Sequence, residues 1–305
     1  MDIIFGWTMV PANSLRTRNI ATRSVWAGAL ICVVIACGLK AVSLGFRMAR
    51  PTAPDPKPVG LPVVVQEPAL PLVGVVVILD PGHGGADPGA NPGPLSEAML
   101  TYRTAAEVAE ALRTRGANVV YTVRSSTLAR KNVETEPLLT APTDAKLAST
   151  GLPLRARHSP QPLWERAETA RTAWTTKVHQ DKDARWNVFF LSLHYDEFQA
   201  PNVSGGVVCV DRRVRRTPAL ATALASEMAE GNFGRGCSFR GVSGLSGHAF
   251  GVLDPTHNPV PEKVLLEIAT LSNPQDQLQA ADPLWRMEIA RRVTNAIERV
   301  HRERK

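Results

Sequence analysis

The sequence predicts one α/β domain with a mostly parallel, mixed central sheet flanked by helices. Three observations carry that expectation. Continuous β-branched runs such as Val75-Val76-Val77-Ile78-Leu79 mark strands buried on both faces. Helix-length amphipathic stretches alternate with those runs. A composition of 44% hydrophobic and 21% charged residues suits a chain that buries a core rather than one that stays disordered.

Residues 75–79 form the first strand. A helix follows over 96–115, with Leu100, Ala105, Val108, Ala109 and Leu112 on one side and Gly116 placed to end it. Asn118 to Val123 is a second strand, and this β–α–β order implies a parallel pair with a crossover helix. Residues 125–162 are rich in Thr, Pro, Ala and Leu without a period and read as a long surface insertion. A helix then spans 163–178, a third buried strand 187–193 and a fourth 206–210. Residues 218–230 are helical, with Pro218 in the tolerant first turn. A strand over 263–270 and an amphipathic helix over 284–300 close the domain. No internal repeat divides it.

The N-terminus sets the compartment. Residues 1–24 are a basic region with Arg16, Arg18, Arg23 and no acid after Asp2. An uncharged apolar run over 25–39 ends at Lys40, which is the order of a secretory signal. Extended to Phe46, the 25–46 segment reaches about 20 residues, the length of a membrane anchor. The basic flank keeps the N-terminus inside and sends the rest of the chain out. Cleavage, retention as an anchor, and lipidation at Cys37 in Val34-Ile35-Ala36-Cys37 are the three fates open to it. The lack of a clean small-x-small site after the run favours retention. Residues 47–72, with prolines at 51, 54, 56, 58, 62, 68 and 71, read as a stiff tether to the exported domain over 73–305. Cys32 and Cys37 lie in the apolar segment; Cys209 and Cys237 lie in the folded part, where a disulfide between them is open.

A net charge of +7 suits polyanionic partners in general. No aromatic-and-basic motif of nucleic-acid binders is present, and nucleic acid is not an expected partner.

Polar residues at the carboxyl ends of apolar strands locate the chemistry, because ligands of open α/β sheets collect there. The first strand runs into Asp80-Pro81-Gly82-His83-Gly84-Gly85-Ala86-Asp87-Pro88-Gly89. This glycine-rich loop lacks the Lys-Ser/Thr ending of a phosphate-binding loop. Glu97 opens the first helix, where an acid alone is an ordinary dipole partner. The third strand runs into His194-Tyr195-Asp196, and His194 alone reads more readily as a structural histidine. Together His83, Glu97 and His194 make a ligand set for Zn²⁺ with one position left open. Imidazole nitrogens favour zinc over magnesium or calcium. Glu267 interrupts an otherwise apolar strand, and a carboxylate there is costly unless paired or used. Desolvation is expected to raise its pKa, as a general base and acid needs. An ion pair with a buried Arg or Lys is the competing reading.

Four blocks in order, LDPGHGGADPGA (79–90), Glu97, FLSLHYD (190–196) and VLLEIATLSNPQD (264–276), resemble the zinc-dependent N-acetylmuramoyl-L-alanine amidases of the cell-wall amidase 3 family. The resemblance covers residues 75–302. It implies zinc on His83, Glu97 and His194, with Glu267 as the catalytic glutamate. It also implies peptidoglycan as substrate, cut at the amide between N-acetylmuramic acid and L-alanine, in the extracytoplasmic envelope (periplasm). Contact with the membrane would run through the N-terminal segment, and any protein activator is unknown. Two departures stand out: bulky Tyr195 after the second histidine, and Ala269-Thr270 where the family carries Gly-Phe. Both are expected to sit beside the metal and alter substrate range or rate. His248 and His257, in the loop before the catalytic strand, read first as ordinary surface histidines, with contact to substrate or support of the zinc shell as the alternatives. The 125–162 insertion is the candidate gate. A non-catalytic or gated wall-binding regulator, and a zinc peptidase acting on the stem peptide, are the rival readings of the same residues.

Overall fold

The computed structural model describes residues 69–91, 95–129, 142–155, 163–197, 202–214, 216–230, 242–243 and 251–305. In chain order these form β1 (Val76–Pro81), α1 (Glu97–Thr114), β2 (Asn118–Tyr121), β3 (Val123–Arg124), β4 (Lys146–Leu147) and α2 (Trp164–Gln180). Then come β5 (Val188–Asp196), β6 (Val207–Cys209), α3 (Ala219–Glu230), β7 (Val242–Ser243), β8 (Glu262–Thr270), α4 (Pro274–Ala281) and α5 (Pro283–Arg302).

Six strands make one sheet in the order β2-β1-β5-β8-β6-β7, and β3 pairs separately with β4. β2, β1, β5 and β8 are mutually parallel, whereas β6 runs antiparallel to β8. The sheet is therefore mixed, as expected, and the carboxyl ends of β1, β5 and β8 share one edge. Side chains alternate across it. On one face Val77, Leu79 and Leu191 join Leu100 and Leu112 of α1 and Val293 of α5. On the other, Ile78, Phe190 and Leu265 meet Ala170 of α2 and Leu253.

Local chemistry fixes the element ends. Ser96 caps α1 by accepting from the Met99 amide at 3.3 Å. The helix stops at Arg115 because Gly116 takes the left-handed conformation, φ 92°. Asp282 caps α5 through the Leu284 amide at 2.9 Å, with Pro283 in the first turn.

The structure corrects several sequence boundaries. The strand expected over 118–123 breaks at Thr122, whose hydroxyl turns inward to Asp80. β5 runs on through His194 to Asp196 instead of ending at residue 193. Helix α4 was not anticipated, although Asn273 caps it and Pro274 opens it. β7 and the β3–β4 pair were also missed. The described parts of the insertion, 125–129 and 142–155, are not merely a surface loop: Leu128, Ala145, Leu147 and Leu154 are buried and join the main core. No helix among the described residues is long and apolar enough to cross a membrane. The 1–24 and 25–46 segments and most of the tether lie outside the described residues, as does Cys237. Cys209 is buried in β6.

Candidate metal and catalytic site

Three sequence-predicted residues meet at the carboxyl edge of the sheet. His83 leaves the loop after β1, Glu97 is the first residue of α1, and His194 lies near the end of β5. One ligand atom from each lies within 4.8 Å of the others. The Glu97 carboxylate sits between the rings, 2.9 Å from His83 Nε2 and 2.8 Å from His194 Nδ1. The two rings meet edge-on, with centroids 5.0 Å apart.

Each side chain is tied down behind the cluster. Glu97 is 4% exposed, and its oxygens also accept from the Ala90 amide at 3.0 Å and the Tyr195 amide at 3.1 Å. The far nitrogen of His83, Nδ1, pairs with Asp87 Oδ2 at 2.9 Å. Both His83 nitrogens therefore face carboxylates and can donate to them; release of the Nε2 proton, with Nδ1–H still held by Asp87, would leave the carboxylate–histidine arrangement that orients metal ligands. Asp87 is held in turn by the Gly89 amide at 3.1 Å. Sequence reading passed over Asp87 as part of a glycine loop; its place four residues after His83 was the available signal.

Two glycines permit this density. A Cβ on Gly82 would lie 2.5 Å from His194 Cε1. One on Gly89 would lie 2.5 Å from Glu97 Oε2 and 2.7 Å from His83 Cδ2. Glycine is needed at both because backbone and ligand side chains share the same space.

Electrostatics follow from the packing. Burial alone would lower the His83 pKa, but hydrogen bonds and charge from Asp87 and Glu97 outweigh it and raise it to about 9. Burial would raise the Glu97 pKa, but His194 and His83 hold its carboxylate well below the usual range. The site thus concentrates negative charge toward two imidazoles, as a cation-binding cradle requires. Two nitrogens and one carboxylate suit Zn²⁺.

Glu267 stands beside this cluster on β8. Its register partner across the strand pair is His194, so both side chains leave the sheet on the same face. Glu267 is half-buried, while Leu266 and Ile268 on either side are buried. The carboxylate is thus only partly enclosed by the strand, with its Oε2 atom buried.

Other expectations are revised. Tyr195 does not crowd the His–Glu–His cluster: its side chain turns to the opposite face, 2% exposed, with its hydroxyl 2.8 Å from Thr104 Oγ1 of α1. Ala269 is buried, and Thr270 donates to the Gly205 carbonyl at 3.0 Å, so this departure serves packing. His257 stacks on Trp164 with centroids 5.4 Å apart and sits 3.4 Å from Asp254, apart from the cluster. His248 lies outside the described residues.

An α/β sheet with a His–Glu–His cradle at its carboxyl edge and a glutamate in register beside it defines a class of metal-site scaffold. The model of the Amidase_3 family, N-acetylmuramoyl-L-alanine amidase, matches residues 77–299, and the chain belongs to that family. The germination-specific N-acetylmuramoyl-L-alanine amidase of Bacillus subtilis (strain 168) is 46% identical over 59 residues, 19% of this chain and 25% of that protein. The chain thus matches about a quarter of that relative's length. Among solved structures, Cwp6 from Clostridium difficile aligns with TM-score 0.50 and 21% identity over 75% of this chain and 29% of its own. The CwlD amidase from Clostridioides difficile, solved in complex with the GerS lipoprotein, aligns with TM-score 0.49 and 19% identity over 74% and 98%. At 21% identity the Cwp6 likeness concerns the fold alone.

Proposed function

We propose that the chain is a zinc-dependent amidase that hydrolyses the amide between N-acetylmuramic acid and L-alanine in peptidoglycan. The observation that carries this reading is the register pairing of Glu267 with His194, whose imidazole shares the Glu97 carboxylate with His83. Family membership supplies the substrate class.

In this reading His83, Glu97 and His194 hold Zn²⁺. When bound, the ion supplies Lewis acidity toward the scissile carbonyl and acidity to water. Glu97 and Asp87 orient the two histidines and keep the ligand nitrogens aimed at one point. Glu267, in register beside His194, takes a proton from the attacking water and returns it to the departing amine nitrogen. Proton transfer of this kind contributes about 10²–10⁴-fold to rate. We further propose that residues 1–24 and 25–46 export the chain, that 47–72 tether it, and that the domain over 73–305 works in the extracytoplasmic envelope, where its substrate is.

The test is release of new amino termini from purified peptidoglycan. The proposal expects free L-alanine amines to accumulate, to vanish with chelator and to return with added zinc. Accumulation of other amino termini in their place would make the chain a stem-peptide hydrolase and overturn the bond assignment.

A further inference from the structure

His83 has a positive φ, 60°, the sole case among the described non-glycine residues. A residue with a Cβ is disfavoured there, so something must hold it. The loop limb beyond it has its own braces: Gly85 donates to the Pro142 carbonyl at 2.9 Å and Ala86 to the Leu154 carbonyl at 3.4 Å. Neither bond touches the His83 peptide group, whose Gly84 amide is paired only within the loop, to the Asp87 carbonyl at 2.8 Å.

The His83 carbonyl has two separate donors. The Tyr102 hydroxyl, from the second turn of α1, reaches it at 3.2 Å. The Arg166 guanidinium, from the first turn of α2, reaches it with Nη2. The same guanidinium donates Nη1 to the Pro81 carbonyl at 2.7 Å and to Asp80 Oδ1 at 3.0 Å. Asp80 is fully buried and is fixed further by the Thr122 and Ser192 hydroxyls. Arg166 is therefore set by a buried anion and spans the carbonyls on both sides of Gly82. Tyr102 is fully buried, and its ring packs where any Cβ on Gly84 would be. Rotation of the His83 backbone toward an ordinary φ would move its carbonyl away from both donors and swing the imidazole off Glu97.

We infer that Arg166 and Tyr102 are positioning residues that hold the His83 carbonyl and so fix His83 in the left-handed conformation that aims Nε2 into the metal cradle. The inference rests on the proposed metal role of His83, but its geometry can be read without metal. Arg166 reaches the loop from helix α2, more than eighty residues along the chain, so a local loop conformation is set by a tertiary contact.

The experiment uses the full chain as Tyr102→Phe and as Arg166→Lys. Phenylalanine removes one hydroxyl and leaves the ring; lysine keeps the charge beside Asp80 but lacks the fork that spans two carbonyls. Amide exchange is followed in the zinc-free protein over 82–89, with α5 as an internal control. Zinc affinity is measured by competition with a chromogenic chelator. Both variants are expected to speed exchange over 82–89 while α5 is unchanged. Zinc affinity should fall about threefold in Tyr102→Phe, the effect of one neutral hydrogen bond. It should fall about tenfold or more in Arg166→Lys, the range for residues that orient metal ligands. Unchanged exchange over 82–89 with wild-type zinc affinity would overturn the inference, as would exchange that rises equally in α5. If Arg166→Lys fails to fold, Tyr102→Phe decides. If the wild type takes up no zinc, the metal reading fails, and the exchange data still decide whether the carbonyl is clamped.

Discussion

His194 and Glu267 are register partners on the parallel strands β5 and β8, and their side chains emerge on the same face of the sheet. This pairing ties a metal-type ligand and the proposed proton carrier to one rigid sheet, where strand spacing is about 4.8 Å and loops need not move to bring them together. On the proposed mechanism the arrangement separates binding from proton transfer. Glu267→Gln should lower kcat about 10²–10⁴-fold with zinc affinity unchanged. Metal content of the purified variant and its turnover on peptidoglycan, measured together, check this. Loss of zinc in Glu267→Gln would place Glu267 among the ligands instead.

Gly82 is a steric prediction. A Cβ there would fall 2.5 Å from the His194 ring, within the packed cluster. Gly82→Ala should destabilise the fold by roughly 1–3 kcal/mol, the range for overpacking, and weaken zinc binding as His194 is displaced. Thermal melts with and without zinc read both effects. An unaltered melt in zinc would mean the ring has room to yield.

Asp87 should act through His83. Asp87→Asn leaves a hydrogen-bonding side chain but removes the charge that orients and polarises the imidazole. Zinc affinity is expected to fall roughly 10–100-fold. Equal affinity in titration calorimetry would show that the pair does not matter to the ligand.

In the proposed zinc site, protons compete with the metal at His83. Its pKa is raised to about 9 in the zinc-free protein, so zinc must displace a proton at neutral pH. Apparent zinc affinity should rise about tenfold per pH unit between pH 7 and 9 and level off above. The linked effect on the zinc-free fold has the opposite sign. Because the folded-state pKa lies above the unfolded 6.5, His83 contributes stability below pH 6.5 that is lost as pH rises through 9. Paired zinc titrations and denaturant melts across that window test both signs.

The sequence made the cluster legible because each member stands at an element boundary. His83 follows a β-branched run, Glu97 follows the cap Ser96, and His194 follows FLSL. β1, β5 and β8 were legible for the same reason: strands buried on both faces leave continuous apolar stretches. Helix α4 was not, because Gln275, Asp276, Gln277 and Gln279 dilute its apolar stripe, although Asn273-Pro274 announced its start. β4 is two residues long and leaves no period to detect. Arg166 was invisible as a site residue, since its partners Asp80, Pro81 and His83 are distant in sequence and no local pattern encodes such contacts. Tyr195 was misplaced because the alternation that points His194 at the cleft necessarily points its neighbour the other way.

The insertion yields a stability prediction. Leu147 is 1% exposed and belongs to the main core. Leu147→Ala should cost about 2–5 kcal/mol, the range for a buried leucine. Denaturant melts measure it. A change below about 1 kcal/mol would return residues 142–155 to the status of a surface loop.

The most direct test of the central claim is mass spectrometry of the products that the full chain releases from purified peptidoglycan, with Glu267→Gln and chelator in parallel. Intact stem peptides bearing a free L-alanine amine, absent from both controls, are the predicted result. Shortened peptides left on the sugar strands, or no release from protein carrying one zinc, would contradict it.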